Sequence, residues 1–271
     1  MKWRIIISGK KSPSENMAID EAIFLGNIEE TSPPTIRFYD WNPPTASFGY
    51  NQKIKKELDL DLLEKKGYAF IKRPTGGRLV LHKDEITYAV IAPAQERLKG
   101  SITDSYSEIS KPLALGLQNL GVNVEFEKAK LSSFSQKQPF NPCFTSSSRY
   151  ELKYKNKKIV GSAQYRKNNC ILQHGSILLN HNQSEVAYLL PNISKEQREK
   201  LSNYLSKKTA CINHVSDKKY SFKNAVFIII NAFKQCWNDD LFKEDSLNDT
   251  ELIRIKELNR KFSSKKWNFN S

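Results

Sequence analysis

The segment Tyr68-Ala-Phe-Ile-Lys-Arg-Pro-Thr-Gly-Gly-Arg-Leu-Val-Leu-His82 begins in one predicted β-strand, Tyr68–Lys72, and leads towards another, Thr87–Ala92. Its two glycines lack side chains, so the backbone can approach a ligand closely, and Arg73 and Arg78 could hold an anionic group. The alternative is a hairpin turn flanked by solvated arginines. A Walker or Rossmann loop is excluded, because the glycine spacing differs and no helix follows.

The flanking sequence predicts a mixture of strands and helices. Ser12-Pro-Ser-Glu15 is a capping box with proline at the first helical position, and it predicts a helix through residues 16–24. Apolar residues recur every three or four positions from 105 to 120, as on a core-facing helix. Further strands are expected at residues 3–8, 35–39, 46–50, 122–126, 150–154 and 169–179 (one long strand or a pair), and helices at 222–233 and 252–262. This pattern predicts an α/β (α+β) fold, with one mainly antiparallel mixed sheet flanked by helices.

Neither repeats nor a Pro/Gly linker interrupts this pattern. We therefore expect a single domain over residues 1–271, with a core catalytic region at about 30–240 and a C-terminal helix, 249–262, packed on it. No apolar run approaches the ~18 residues of a membrane span, which predicts a cytoplasmic protein without membrane contact. The formal charge of +14 predicts a surface that attracts acidic partners such as nucleic acid, anionic lipid or an acidic carrier protein. The alternative is solvated lysines on every face.

The four cysteines are scattered without C-x-x-C pairs, which argues against structural zinc and a disulfide framework. Cys143 lies in Asn141-Pro-Cys-Phe144, within a polar stretch, 130–148, predicted to be a loop. Reactive cysteines tend to occur in such positions, whereas buried ones pack as small apolar residues. Cys143 is thus the candidate nucleophile, and the other three cysteines are interpreted as structural.

Lys158 precedes a run of small residues in Lys157-Lys-Ile-Val-Gly-Ser-Ala-Gln-Tyr-Arg166. Gly161, Ser162 and Ala163 would leave room for a ligand beside a strand, or would mark a close contact between strands and helices. If Lys158 lies near Cys143, its ammonium group would lower the thiol pKa and favour the thiolate. The alternative is a turn lysine in water.

His174 and Gly175 interrupt the apolar strand pattern at Gln173-His-Gly-Ser176. A lone histidine is more often a hydrogen-bonded core residue than a catalytic base. The histidines of the chain share no carboxylate or cysteine neighbours at ligand spacing, so no metal site is expected.

Taken together, these segments resemble the superfamily of lipoate-protein ligases and octanoyltransferases, which shares the catalytic-domain fold of biotin-protein ligases. The matching stretches are Asn16–Asp20, Arg37–Thr45, Arg73–Arg78 and Trp267-Asn268. Gly76-Gly77-Arg78, followed by His82 and by Glu85-Ile-Thr-Tyr88, is similar to the cysteine-dependent octanoyltransferase branch. The sequence departs from that pattern at Lys72, where a second arginine is common, and at Thr145-Ser-Ser-Ser148, where an Asp-Ala-Pro-Ser type of continuation is usual.

The resemblance implies an acyltransferase that moves an octanoyl group from octanoyl-acyl carrier protein to a lysine of a lipoyl domain, in lipoate biosynthesis. Acceptors would be the glycine cleavage H protein and the E2 subunit of 2-oxoacid dehydrogenases. Cys143 would form the acyl thioester with Lys158 as its partner. Neither ATP nor a metal would be needed, because the acyl group arrives on phosphopantetheine. The implied substrate-binding residues are Arg73, Thr75, Gly76, Gly77, Arg78, His82, Gly161, Ser162, Ala163, Gln164, His174 and Gly175.

Two further details of the site are expected. Backbone amides near Gly76, Gly77 or Gly161 could stabilise the oxyanion, and Val80, Ile159 and Leu172 could line an acyl tunnel. The alternatives are an ATP-dependent lipoate ligase and an amidotransferase that moves octanoate between lipoyl domains. A nucleic-acid binder resembling the biotin repressor is disfavoured, because the sequence starts with a predicted strand and lacks a helix-turn-helix.

Overall fold

The computed structural model describes residues 1–128 and 150–269. Cys143 and the whole of the predicted 130–148 loop, including the Thr145–Ser148 departure, lie outside the described residues. The strands are β1 (Lys2–Lys11), β2 (Thr35–Trp41), β3 (Thr45–Phe48), β4 (Ala69–Lys72), β5 (Val80–His82), β6 (Glu85–Pro93), β7 (Glu125–Lys128), β8 (Tyr150–Tyr154), β9 (Lys157–Lys158), β10 (Val160–Lys167), β11 (Cys170–Leu178) and β12 (Leu241–Glu244). The α-helices are α1 (Pro13–Ile28), α2 (Ile54–Glu57), α3 (Leu60–Lys65), α4 (Ile102–Asn119), α5 (Lys195–Lys208), α6 (Ile212–Val215), α7 (Phe222–Cys236), α8 (Asp249–Ser263) and α9 (Lys265–Phe269).

The largest sheet has six strands in the order β10-β11-β6-β2-β1-β12. The first four strands pair antiparallel, and β1 pairs parallel with both β2 and β12. One face packs on α4 and α7 through a core that includes Phe38 and Phe233, and the other packs on α1 and α8 through a core that includes Tyr39 and Phe262. Successive residues of β2 thus enter different cores, which is why the whole strand is buried. The expected fold class is confirmed.

A second sheet, in the order β4-β3-β5, carries the glycine-rich segment. Both outer strands pair with β3, one parallel and one antiparallel, and not with each other. The hairpin interpretation of residues 73–78 is therefore wrong, because this segment crosses over the end of β3. The Tyr50 N–H donates to the Thr75 carbonyl at 2.9 Å, and a Cβ at Gly49 would lie 2.1 Å from the Gly77 oxygen. The crossing therefore requires glycine at position 49.

Within the described residues β7, β8 and β9 form a third sheet, so the expectation of one sheet is also wrong. Strand alternation predicts where a strand lies but not which strand it pairs with. The capping box at Ser12 and Glu15 is confirmed, as is the long strand β11. Sequence reasoning missed α5, because only Leu205 of its fourteen residues is buried and an apolar stripe is lacking. It also missed β12, a short and mostly exposed edge strand. Among the described residues no helix combines the length and apolar character needed to cross a bilayer.

Candidate active site

Two adjoining cavities lie where β10 and β11 meet the 73–78 segment. The inner cavity has walls that include the fully buried Met17 and Tyr39. The outer cavity is bordered by the exposed Gly76 and Gly77. The described residues lining the inner cavity are Met17, Tyr39, Trp41, Arg73, Val80, His82, Thr87, Gly161, Ser162, Ala163, His174, Gly175 and Ser176. Those lining the outer cavity are Gly76, Gly77, Ile102, Thr103, Tyr106, Ser162, Ala163 and Gln164. Concave sites lined by apolar groups with a few convergent polar groups are typical of small-molecule sites.

Small residues of β10 and β11 form the wall that the cavities share. Antiparallel pairing sets Ser162 opposite Gly175 and Ala163 opposite His174. A Cβ at Gly175 would lie 2.6 Å from the Ser162 Oγ and 2.7 Å from the Tyr88 ring. Gly175 thus allows a close approach between neighbouring strands, whereas Ser162 and Ala163 border both cavities. Ser162 and Ala163 thus border open space, as one of the two interpretations expects. The close contact lies at Gly175 and joins neighbouring strands, not a strand and a helix.

His82 lies within a buried hydrogen-bond chain beside the inner cavity. Its Nε2 lies 2.5 Å from the Ser47 Oγ, and its Nδ1 lies 2.6 Å from the Glu85 Oε1. Thr87 donates to the same carboxylate oxygen at 2.5 Å and accepts from the Trp41 indole at 2.7 Å. The Trp41 ring also stacks on the imidazole, with 4.4 Å between centroids. These contacts engage both ring nitrogens and fix the orientation of His82 as part of the cavity wall.

His174 lies within a second buried chain that reaches the 73–78 segment. Its Nε2 lies 2.7 Å from the Thr75 Oγ1, and its Nδ1 lies 3.6 Å from the Asp20 Oδ2. Asp20 accepts from the Arg37 guanidinium at 2.7 Å and from the Tyr39 hydroxyl at 2.8 Å. Helix α1 is thereby connected to β2, to β11 and, through Thr75, to the glycine-rich segment.

The charge state of this chain follows from its burial. Burial lowers the pKa of His174, because the imidazolium would lose its hydration, although Asp20 opposes this effect. Burial alone would raise the pKa of Asp20, but Arg37 and His174 outweigh it and the net pKa is lowered. At neutral pH the chain thus holds an ionised Asp20 and a neutral His174. A neutral ring with Nδ1–H towards Asp20 accepts a hydrogen bond from Thr75 at Nε2.

The Arg73 side chain holds the backbone of the glycine-rich segment through hydrogen bonds. Its guanidinium donates to the Ser47 Oγ at 2.6 Å, to the Gly76 carbonyl at 3.2 Å and to the Arg78 carbonyl at 2.9 Å. The group is buried and also borders the inner cavity. By contrast, Arg78 itself is exposed. Arg73 therefore fixes the backbone at Gly76 and Gly77, next to the outer cavity.

Lys72 immediately precedes this segment and is anchored by the C-terminal helix α9. The Lys72 N–H donates to the Asn268 Oδ1 at 2.9 Å, and the Trp267 indole donates to the Lys72 carbonyl at 2.8 Å. Burial of the side chain lowers the pKa of Lys72. The Trp267-Asn268 pair noted in the sequence therefore fixes the strand end from which the glycine-rich segment departs.

Lys158 is 4% exposed, so its interpretation as a solvated turn lysine is wrong. It ends β9, and its carbonyl accepts from the Ala210 N–H at 3.0 Å. It is not among the described residues that line either cavity. Because Cys143 lies outside the described residues, the pairing of Lys158 with this cysteine stays a prediction.

The three described cysteines are poor nucleophiles. Cys170 and Cys211 are buried, and Cys236 is partly buried. Burial raises the pKa of each thiol, to about 12 for Cys211. Little thiolate is then present at neutral pH, which supports the interpretation of these cysteines as structural.

Several residues around the cavities were given no role by sequence reasoning. They are Met17, Asp20, Tyr39, Trp41, Ser47, Glu85, Thr87, Ile102, Thr103, Tyr106 and Ser176. Some of them could have been identified because they are polar residues within otherwise buried elements, as are Glu85 in β6 and Asp20 in α1. Of the expected tunnel residues, Val80 lines the inner cavity, whereas Ile159 and Leu172 belong to the two hydrophobic cores.

The chain matches the family model of the lipoyl protein ligase A/B catalytic domain over residues 12–234. It belongs to this family. Octanoyltransferase LipM of Anoxybacillus flavithermus is 38% identical over 272 residues, covering 98% of each chain. Octanoyltransferase LipM of Brevibacillus brevis is 38% identical over 274 residues, again covering 98% of each.

Solved structures support the same fold. A bi-partite lipoate protein ligase of Thermoplasma acidophilum, described together with its E2 lipoyl domain, superposes with a TM-score of 0.81 at 21% identity. The match covers 99% of this chain and 96% of that one. The region matched by the lipoyl protein ligase A/B catalytic domain contains both cavities in full. The expected family resemblance is thus confirmed.

Proposed function

We propose that this chain is an octanoyltransferase that moves an octanoyl group from octanoyl-acyl carrier protein to a lysine of a lipoyl domain, through a thioester on Cys143. The observation that carries the activity is the similarity to octanoyltransferases, at 36–38% identity over 98% of the chain. The inner cavity supports it, because Met17, Trp41 and Val80 offer apolar surface to an alkyl chain.

The first half of the reaction transfers the acyl group to the protein. The Cys143 thiolate attacks the carbonyl carbon of the octanoyl thioester, and a new bond forms from its Sγ to that carbon. The bond to the pantetheine sulfur breaks, and the leaving thiolate takes up a proton. Lys158 is the proposed cation that favours the Cys143 thiolate.

The second half releases the octanoylated acceptor. The neutral ε-amine of the acceptor lysine attacks the thioester carbon, a C–N bond forms, the bond to the Cys143 Sγ breaks, and the amine loses a proton. The thioester is already activated relative to the amide product, so the reaction needs no ATP. Backbone amides of the segment at Gly76 and Gly77 are the proposed donors to the oxyanion. The contacts that Arg73 and Thr75 make with this segment and with His174 support the proposal, because they restrain its backbone.

The proposed partners are acidic carrier and lipoyl domains, including the glycine cleavage H protein and 2-oxoacid dehydrogenase E2. A chain with a formal charge of +14 would attract such partners over a distance.

Intact mass after incubation with octanoyl-carrier tests the proposal, with wild type compared with Cys143→Ser. We expect one octanoyl adduct on wild type and none on the variant. The matched control, Cys236→Ser, removes a partly buried thiol and should keep the adduct. An adduct that persists in Cys143→Ser, or that maps to Cys170, would overturn the assignment. Acceptor labelling from octanoate plus ATP alone would instead identify a ligase.

A further inference from the structure

The outer cavity has no role in the acyl-chain binding proposed above. It opens beside Ile102, whose side chain is 51% exposed although it is large and apolar. Ile102 and Tyr106 lie one turn apart on α4, so both side chains face the same side of the helix. Ligand pockets are lined mainly by apolar and aromatic side chains, and Ile102 and Tyr106 contribute such a lining to the outer cavity.

The two cavities meet at Ser162 and Ala163, which line both of them. An acyl donor has two arms joined at one carbonyl carbon, the alkyl chain and the group that carries the sulfur. If the alkyl chain occupies the inner cavity, the reacting carbonyl lies near this junction. The sulfur-bearing arm must then leave through the outer cavity.

The chemistry of the outer cavity favours a neutral arm. The described residues that line it offer Ile102 and Tyr106 as apolar surface, with neutral polar groups from Thr103, Ser162 and Gln164, and include no charged side chain. A pantetheine arm matches this surface, since it carries amides, a hydroxyl and methyl groups. A nucleotide triphosphate would require cationic groups or a metal instead.

The first turn of α4 also disfavours a phosphate. Its N-cap Ser101 forms a capping box with Asp104, whose carboxylate accepts from the Ser101 N–H at 2.8 Å. The carboxylate already occupies the position at a helix start where an anion would bind, and it would repel another.

We infer that the outer cavity binds the pantetheine arm of the acyl donor, with Ile102 and Tyr106 packing on its aliphatic part. This inference rests on the proposed function, since only a donor on acyl carrier protein carries a pantetheine arm. It makes Ile102 and Tyr106 determinants of donor specificity.

Two small donors separate arm binding from acyl binding. Octanoyl-pantetheine carries the whole arm, whereas octanoyl-N-acetylcysteamine carries only its first amide. We expect wild type to use octanoyl-pantetheine with a kcat/KM roughly tenfold or more higher, since the groups in contact are equivalent to a few methylenes. Ile102→Asp and Ile102→Ala should remove most of this ratio, because they lower kcat/KM much more for octanoyl-pantetheine than for octanoyl-N-acetylcysteamine. The matched control is Ile253→Asp, an isoleucine that is 63% exposed on α8.

The readout is octanoylation of a lipoyl-domain acceptor, measured by intact mass. Thermal unfolding compares the stability of the variants with that of wild type. Equal kcat/KM values for the two donors in wild type would overturn the inference and leave the octanoyltransferase proposal intact. An equal loss with both donors in the Ile102 variants would also overturn it, because the residue would then act on the fold and not on the arm. Absence of transfer from octanoyl-carrier and from both small donors would refute the proposed function and this inference with it.

Discussion

At the scale of single residues, His174 makes the stability of the site depend on pH. Its pKa is lowered by burial, so the unfolded chain binds this proton at a higher pH than the folded one does. The free energy of unfolding should then be constant above about pH 7 and fall as the pH drops below the ordinary histidine pKa of about 6.5. The pKa of Asp20 is lowered as well, which extends the loss to more acidic pH.

His174→Gln should therefore lower the free energy of unfolding at pH 7.5, because it removes buried hydrogen bonds. It should also weaken the dependence of this free energy on pH between about 7 and 5, because the variant lacks the imidazole whose protonation destabilises the fold. Urea unfolding at several pH values measures both quantities. His214→Gln is the matched control, because His214 is exposed. If the free energy of unfolding of His174→Gln falls with decreasing pH as steeply as that of wild type, another group causes the acid sensitivity.

Two glycines at the site have opposite tolerances for a methyl group. Gly175→Ala should destabilise the protein by about 1–3 kcal/mol, because the new Cβ would overlap Ser162, the Gly161 carbonyl and Tyr88. At Gly76 a new Cβ meets none of the described atoms within 4 Å, and Gly76→Ala should change stability by less than about 0.5 kcal/mol. Thermal unfolding of the two variants checks the contrast. Equal stabilities would mean that β10 and β11 can separate at little cost.

At the scale of elements, one buried ion pair connects α1 to the main sheet. Asp20 and Arg37 are both fully buried, with 2.7 Å between their charged groups. Asp20→Asn would leave Arg37 with its charge buried and uncompensated, at a cost of about 3–5 kcal/mol. The exposed pair of Glu196 and Lys200 is the control, and Glu196→Gln should cost about 0.5 kcal/mol or less. Urea unfolding measures both losses of free energy. If the two variants lose similar amounts, burial does not determine how much an ion pair contributes.

Some elements of this fold were predictable from the sequence and others were not. Helix α4 was predictable because apolar residues such as Ile109, Leu113 and Leu117 form its buried stripe. The crossing of residues 73–78 over β3 was not, because the parallel pairing of β3 with β4 depends on contacts distant in sequence. The site was predictable where small residues and glycines interrupt the strands. Trp41 and Asp20 were given no role, since their partners lie on other elements.

At the scale of the whole molecule, the excess positive charge lies on exposed lysines. Among the described residues, buried carboxylates such as Asp20, Glu251 and Asp240 pair with Arg37, Arg4 and Arg97, and each of these pairs is neutral. The formal charge of +14 therefore falls on the remaining groups, and many lysines are exposed, including those at positions 53, 55 and 56 beside the second sheet. The positive field can therefore act on an approaching acidic protein.

This field predicts a salt effect that depends on the size of the donor. The attraction between exposed charges is screened over a Debye length of about 10 Å at 0.1 M salt and about 3 Å at 1 M. Raising the salt concentration should therefore increase the KM for octanoyl-carrier severalfold and leave kcat nearly unchanged, because encounter is affected and the reacting groups are not. Octanoyl-pantetheine has no acidic surface, so its KM should change little over the same range. Steady-state rates with both donors at increasing salt measure this difference. If the two KM values rise together, salt acts on the enzyme itself, and the positive charge has no part in recruiting the carrier.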